Sequence, residues 1–297
     1  MSANLSKSER LPSQKNSRFD WAAKIAATSC FALTITVLAA MLFYIVLRGL
    51  PQISRDFLFS QPSTLRGTYG ILPGMINTVY IIAITLMIAA PVGIGAAVYL
   101  CEYAGTSRRF AKVVQVIDFT IETLAGIPSV VYGLFGAVFF GETLKLGYSI
   151  LTGVLTLSLM VLPVIIRTSQ EALRAVPQSY REGALGCGAG KWVMIRTVVL
   201  PNAKNGLAAA ILLAVGRITG ESAALLFTAG AALRLPENWL THPLVSGASL
   251  TVQMYFGVSS GRYIDEAFGV AFVLACILLG VYLLSDWMSQ YFTRKKG

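Results

Sequence analysis

A chain of 297 residues in which 55% are hydrophobic and only 13% charged would expose more apolar surface than water tolerates, which excludes a soluble globular domain. The formal net charge of +10 fits either a grip on nucleic acid or a bias in membrane orientation, and the placement of the charges decides between them. Uncharged apolar runs of about 20 residues set the class, because that length crosses a bilayer as a helix.

Residues 1–20, rich in Ser, Lys and Arg, predict a disordered cytoplasmic tail. The first apolar run, Ile25–Leu47, is too long for the core of a signal peptide and follows a polar stretch, so it predicts a retained span. Residues 21–70 then hold the first membrane helix and an outside loop (Arg48–Gly70) with Pro51, Pro62 and Gly67. The second run, Ile71–Cys101, is longer than one span, with Pro73 near its start and Pro91, Gly93 and Gly95 inside it. It predicts a tilted or kinked helix packed through small residues; the alternative is a pore-lining helix whose kink works in opening. Asp118 and Glu122, four apart, predict an amphipathic interfacial helix paired to Arg108, Arg109 and Lys112 rather than a proton relay. Gly126-Ile127-Pro128 marks a break near the start of the third run, Thr123–Gly141. The fourth run is Leu146–Ile166. The fifth, Asn205–Leu233, is apolar except for Arg217 and Glu221, and the sixth is Ala267–Ser285. A basic tail, 291–297, closes the chain. The expected fold class is an all-α membrane protein of six helices, with residues 71–290 as its core.

With the amino terminus inside, 17 Lys and Arg residues fall in inside segments, 6 fall outside, and Arg217 lies within a span. That asymmetry follows the positive-inside rule and predicts both termini in the cytoplasm. It also accounts for the net charge without nucleic acid. Cys30, Cys101, Cys187 and Cys276 are scattered without metal-ligand spacing, and His242, the single histidine, reads as a turn residue before Pro243. No catalytic cluster, resident metal or cofactor is expected. An internal repeat of the kind that marks many secondary carriers is not apparent.

The segment 167–204 is the one sizeable soluble piece between spans. Gln170–Ala175 predicts a short helix stopped by Pro177. Ser179, with Glu182 three residues on, has the spacing of a capping box for a second helix, which Gly186, Gly188 and Gly190 would end. Trp192–Val199 is an apolar stretch closed by Leu200-Pro201. Two short helices around a glycine corner suit a knob that docks into a groove on another protein. Arg217 lies twelve residues after Asn205, roughly 18 Å along a helix, where a charge costs about 2.5–3.5 kcal/mol. Glu221, at i+4, is placed to pair with it. One reading is a structural ion pair; the other is an anion path in which Arg217 meets the substrate, with Arg167 as a second stop. The planar fork of arginine matches oxyanions.

Glu182-Gly183-Ala184, then Gly188, then Val198-Val199-Leu200-Pro201 resemble the cytoplasmic Glu-Ala-Ala signature of ABC importer permeases. Gly183 and Val198 depart from that pattern. Gly216–Gly230 (GRITGESAALLFTAG), Glu171–Trp192 and Gly126–Gly136 resemble the phosphate importer permeases, more the PstA than the PstC type. Ser222 and Ala224 depart from the block. The resemblance implies a type I, MetI-like permease fold in the bacterial inner membrane. It implies that Glu182, Gly183, Ala184, Gly188, Leu200 and Pro201 couple to a separate ATPase, a PstB-type dimer. It further implies a PstC-type sister permease, a periplasmic PstS-type binding protein, and phosphate passing Arg217, Glu221 and Arg167. The acidic position three after the first arginine is Gln170 here. The chain lacks a phosphate-loop motif, so ATP and Mg are expected on the partner and the chain itself is not an enzyme. The alternatives are a permease for sulfate or molybdate, an ion-coupled secondary carrier and a membrane-bound enzyme.

Overall fold

The computed structural model describes residues 17–63, 68–104 and 111–294. Among these the regular structure is helical, apart from one antiparallel bridge between Ser63 and Thr68. Most of the predicted tail 1–20, together with Arg108, Arg109 and residues 295–297, lies outside the described residues.

Residues up to Leu47 form a unit of their own, filled in its described part by helix α1 (Ser17–Gly49). A helix that is apolar all round has no face to offer water. Its threonines return their hydroxyls to the chain. Thr28 donates to the Lys24 carbonyl at 2.8 Å, Thr34 to Cys30 at 2.9 Å and Thr36 to Ala32 at 2.8 Å. That satisfies a polar group where no water can.

The second unit begins at Arg48. A short helix, α2 (Arg55–Phe59), is capped by Ser54, whose hydroxyl accepts from Phe57 N. Helix α3 (Leu72–Val98) carries Pro73 in its first turn, where a missing N–H costs nothing. It passes through Pro91 into a wide turn, so Leu72–Tyr103 is one helical stretch of 32 residues. Pro91 therefore does not divide the span. Helices α4 (Ala111–Ala125) and α5 (Ser129–Gly136, extended by a wide turn to Thr143) meet at 98° across Gly126-Ile127-Pro128. This is the expected break, and α4 is the expected amphipathic helix. Helix α6 (Ile150–Arg174) starts on a Ser149 cap.

After α6 the structure corrects the sequence reading in three places. Gln170–Ala175 is not a separate helix but the last turns of α6, which carries the predicted fourth run beyond Ile166. Helix α7 (Gln178–Gly186) has Pro177, not Ser179, at its cap position and no side-chain cap. Proline already supplies the extended entry, so Ser179 lies inside the first turn. Leu200-Pro201 does not close a stretch either. The short helix α8 (Lys191–Met194), a wide turn and α9 (Leu200–Thr219) form one run, Lys191–Thr219. Pro201 falls in the first turn of α9, after that wide turn, where proline is tolerated.

The predicted fifth span, Asn205–Leu233, is likewise not one helix. Gly220 ends α9, and α10 (Ala223–Thr228) follows after a break. Then come α11 (Leu250–Ser259), capped by Ser249, and α12 (Ile264–Arg294), which overruns the predicted sixth run at both ends. Among the described residues five helices are long and apolar enough to cross a membrane, and a sixth span results if the bent α4–α5 pair counts as one.

Among the described residues, three apolar clusters hold the second unit together. The largest joins α3, α6, α9, α10 and α11 through residues such as Ile81, Leu157, Ile165, Ile218, Leu225 and Val252. A second gathers Ala97, Leu173, Val176, Ile195 and Val199 near α7. A third, at the opposite end, contains Phe57, Ile71, Leu250 and Val270. Small residues bring the helices together. A Cβ added at Gly93 of α3 would lie 2.6 Å from Ile165 Cγ2 on α6.

Candidate functional site

The glycine corner is built from the residues that announced it. Leu185 and Gly186 end α7, and Gly188 turns the chain at φ 82°. Left-handed backbone of that kind favours glycine. Glu182 and Gly183 are exposed on α7, and Ala184 is half-buried against the second apolar cluster. Leu200 packs on that same cluster, with Pro201 beside it at the start of α9. The six residues thus bracket one surface feature, an exposed short helix followed by a rigid turn and a helix returning to the core.

What holds α7 was not legible in the sequence. Arg181 donates through Nε and Nη2 to Glu102 Oε1, at 3.1 and 2.9 Å, through Nη1 to the Val176 carbonyl at 2.6 Å, and through Nη2 to Leu173 at 2.8 Å. Both side chains are largely buried, 12% and 6% exposed. No local spacing links positions 79 residues apart. The one available signal was a carboxylate at the end of the second apolar run.

Arg167 lies within α6, not at its end. Its Nε is 3.5 Å from Glu171 Oε1 and its Nη2 3.7 Å from Glu122 Oε1. Arg174, about two turns further on, pairs with Asp118 at 3.7 Å. Gln170, almost fully buried, donates from Nε2 to Asp118 Oδ1 at 2.9 Å, while its own Oε1 has no partner. So the α4 carboxylates face α6. The pairing predicted with Lys112 does not form, because that residue lies six and ten positions away on the same helix, beyond i,i+4 reach, while α6 offers two arginines across the contact. An apolar groove of about 450 Å³ continues along α4, α5 and α6, lined by Ile121, Leu124, Tyr132, Phe135, Leu162 and Pro163.

Arg217 and Glu221 do not pair. Gly220 terminates α9 between them, so they share no helix face. Glu221 instead accepts from Ala224 N at 3.0 Å, capping α10, and its carbonyl accepts from Thr251 at 2.8 Å. A carboxylate is stabilised at a helix N-terminus. Arg217 is half-buried, and its Nε is buried without a hydrogen-bond partner. Its guanidinium is an electrostatic neighbour of the Tyr132 phenol on α5. Helices α6 and α9 are antiparallel, and Gly206 of α9 abuts Ala172 of α6. Counting from there puts Arg217 about six residues, or roughly 9 Å, further along the bundle than Arg167. The two arginines thus sit at different depths, one paired and one not.

His242 is more than a turn residue. It is 4% exposed, and its Nε2 lies 2.7 Å from Asn77 Oδ1 on α3, while Asn77 Nδ2 donates to the Ala248 carbonyl at 3.0 Å. Since Oδ1 is an acceptor, Nε2 carries the proton. Burial lowers the His242 pKa from its usual 6.5.

Comparison with known proteins gives this arrangement a place. Residues 89–297 match the family described as binding-protein-dependent transport system inner membrane component. A Bacillus subtilis protein named "Probable ABC transporter permease protein YqgI" is 38% identical over 208 residues, 69% of each chain. The phosphate transport system permease protein PstA of Xylella fastidiosa is 35% identical over 209 residues, covering 67% of this chain and 71% of its own. Among solved structures, a chain of the MetNI methionine ABC transporter superposes with a TM-score of 0.59 at 17% identity, covering 74% of this chain and 95% of its own. That likeness establishes the MetI-like importer permease fold. The chain is a multi-pass membrane protein that belongs to the binding-protein-dependent transport system inner membrane component family of ABC permeases.

Proposed function

We propose that the protein is a PstA-type permease subunit that forms half of the path of an ATP-driven phosphate importer. The observation that carries this reading is Arg217. A charge inside a membrane bundle is costly, yet its Nε is buried without a partner, and the one nearby carboxylate in sequence, Glu221, is engaged in capping α10. An arginine left without an internal counter-ion suits an oxyanion in passage. Permeases named for phosphate among the relatives support phosphate over sulfate or molybdate. Arg167, held by Glu122 and Glu171, is a second stop, where phosphate would have to compete with carboxylates.

In this reading the surface at 178–201 faces the cytoplasm and docks on a PstB-type ATPase, which binds ATP and Mg. Both termini are cytoplasmic, a PstC-type permease completes the path, and a PstS-type protein delivers phosphate from the other side. Arg217→Gln in the assembled complex is expected to abolish uptake of labelled phosphate while all subunits still co-purify. Normal uptake in that variant refutes the anion path. Inhibition of wild-type uptake by excess sulfate or molybdate, without transport of phosphate as the preferred anion, favours another oxyanion instead.

A further inference from the structure

Apart from Arg181 and Ala184, the residues of helix α7 are exposed. Its apolar hold on the bundle is limited to the half-buried Ala184. Yet it is not loose, because Arg181 reaches from it into three separate acceptors. Two are the Leu173 and Val176 carbonyls at the end of α6, where a helix leaves its last carbonyls without intrahelical donors and where a cation is favoured. The third is Glu102, on the wide turn that ends the α3 stretch.

We propose that Arg181 is the peg that fixes α7 to the bundle, so that a load on α7 is delivered to the ends of α3 and α6 instead of being absorbed by the linker at 175–177. The geometry supports rigidity. A guanidinium is planar, and donating from Nε, Nη1 and Nη2 at once fixes its orientation as well as its position. A buried ion pair is weak evidence for stability, and its best-attested use is to set register. Glu102 is also well placed to pass the load on, since Ala97, one turn earlier, is fully buried in the cluster formed with Leu173 and Val199. Further along, α3 touches α6 closely at Gly93. The next helix, α8, is tied to the same end of α3. Lys191 Nζ lies 5.1 Å from the centre of the Tyr103 ring, just after Glu102.

The transmission part of this inference rests on the reading that α7 meets an ATPase; the peg itself does not. The test keeps them apart. In the full complex, Arg181→Lys retains the charge but loses the fork, and Glu102→Gln retains an acceptor but loses the charge. Phosphate transported per ATP hydrolysed is measured in proteoliposomes. On the same variants, spin labels at Cys187 and at Tyr99→Cys, with the other cysteines replaced, report the α7–α3 separation. The expected result is a narrow distance distribution in the parent, a broadened one in Arg181→Lys, and a coupling ratio lowered about tenfold or more. An unchanged distribution overturns the peg whatever the uptake. A broadened distribution with an unchanged ratio overturns transmission through α3. Cross-linking of the exposed Cys187 to the ATPase tests the docking reading alone. Its failure in the parent complex removes that reading and leaves the distance result standing.

Discussion

The two glycines at 93 and 95 of α3 make a sharp test of how the bundle is packed. They lie two residues apart in one helix, so alanine brings each the same gain in helix propensity, about 0.8–1.0 kcal/mol. Their surroundings differ. A methyl on Gly93 would sit 2.6 Å from Cγ2 and 3.0 Å from Cβ of Ile165, a side chain with 0% exposure and no room to yield. A methyl on Gly95 meets nothing within 4 Å. The propensity gain cancels in the comparison and the overpacking cost remains, about 1–3 kcal/mol. For a chain of this size each kcal/mol moves the melting midpoint by about 2–4 °C. Gly93→Ala is therefore expected to melt several degrees below Gly95→Ala when both are heated at one scan rate in the same detergent and followed by intrinsic fluorescence. Equal midpoints, within about a degree, would falsify close α3–α6 packing through Gly93.

Gly188 sits at φ 82° with open space around its Cβ position, so backbone strain rather than crowding governs its replacement. Gly188→Val is expected to cost roughly 1–2 kcal/mol locally and to reduce the amount of ATPase that co-purifies, while Gly188→Asn retains most of it because asparagine tolerates that conformation. Equal yields for both variants count against the rigid corner. His242 predicts an acid limit. Its folded pKa lies below the unfolded value of 6.5, so its contribution to stability is complete above about pH 6.5 and is lost as pH falls below that, where the unfolded chain takes up a proton the folded one refuses. Melting midpoints measured from about pH 7 to about pH 5 should fall more steeply in the parent than in His242→Asn. Identical slopes contradict the buried neutral imidazole.

Much of this architecture was legible because lipid simplifies the code. Apolar run length located α1, α3, α6 and α12, and the Gly126-Ile127-Pro128 breaker located the elbow between α4 and α5. Where the sequence misled, a local rule met a competitor with the same appearance. Ser179 and Glu182 have capping-box spacing, but Pro177 already starts α7. Leu200-Pro201 looks like a terminus, yet a proline in the first turn continues the run from α8 into α9. Arg217 and Glu221 have ion-pair spacing only if a helix joins them, and Gly220 removes that helix. Asp118 and Glu122 were correctly placed on an amphipathic helix, but which cations they meet depends on α6 lying alongside. The Arg181–Glu102 contact belongs to the same class, a tertiary fact without a local signature.

The break at Gly220 explains how an arginine can remain without a carboxylate partner inside the bundle. Interrupting a helix in lipid strands backbone groups that must be satisfied within the protein. Here Glu221 takes the Ala224 N–H, Thr251 of α11 donates to the Glu221 carbonyl, and Leu226 N donates to the Ser222 carbonyl at 2.9 Å. The acid that could have neutralised Arg217 is consumed in this repair. Arg217 itself falls in the last turn of α9, where the carbonyl end of the helix dipole favours a cation by about 0.3–1 kcal/mol. That offsets only part of the cost of a charge in the membrane, about 2.5–3.5 kcal/mol. A full ion pair would have cancelled the field of the guanidinium, whereas a helix terminus offsets only part of its charge. In the proposed importer, the same break that spoils the predicted pair is what would leave the arginine open to an anion.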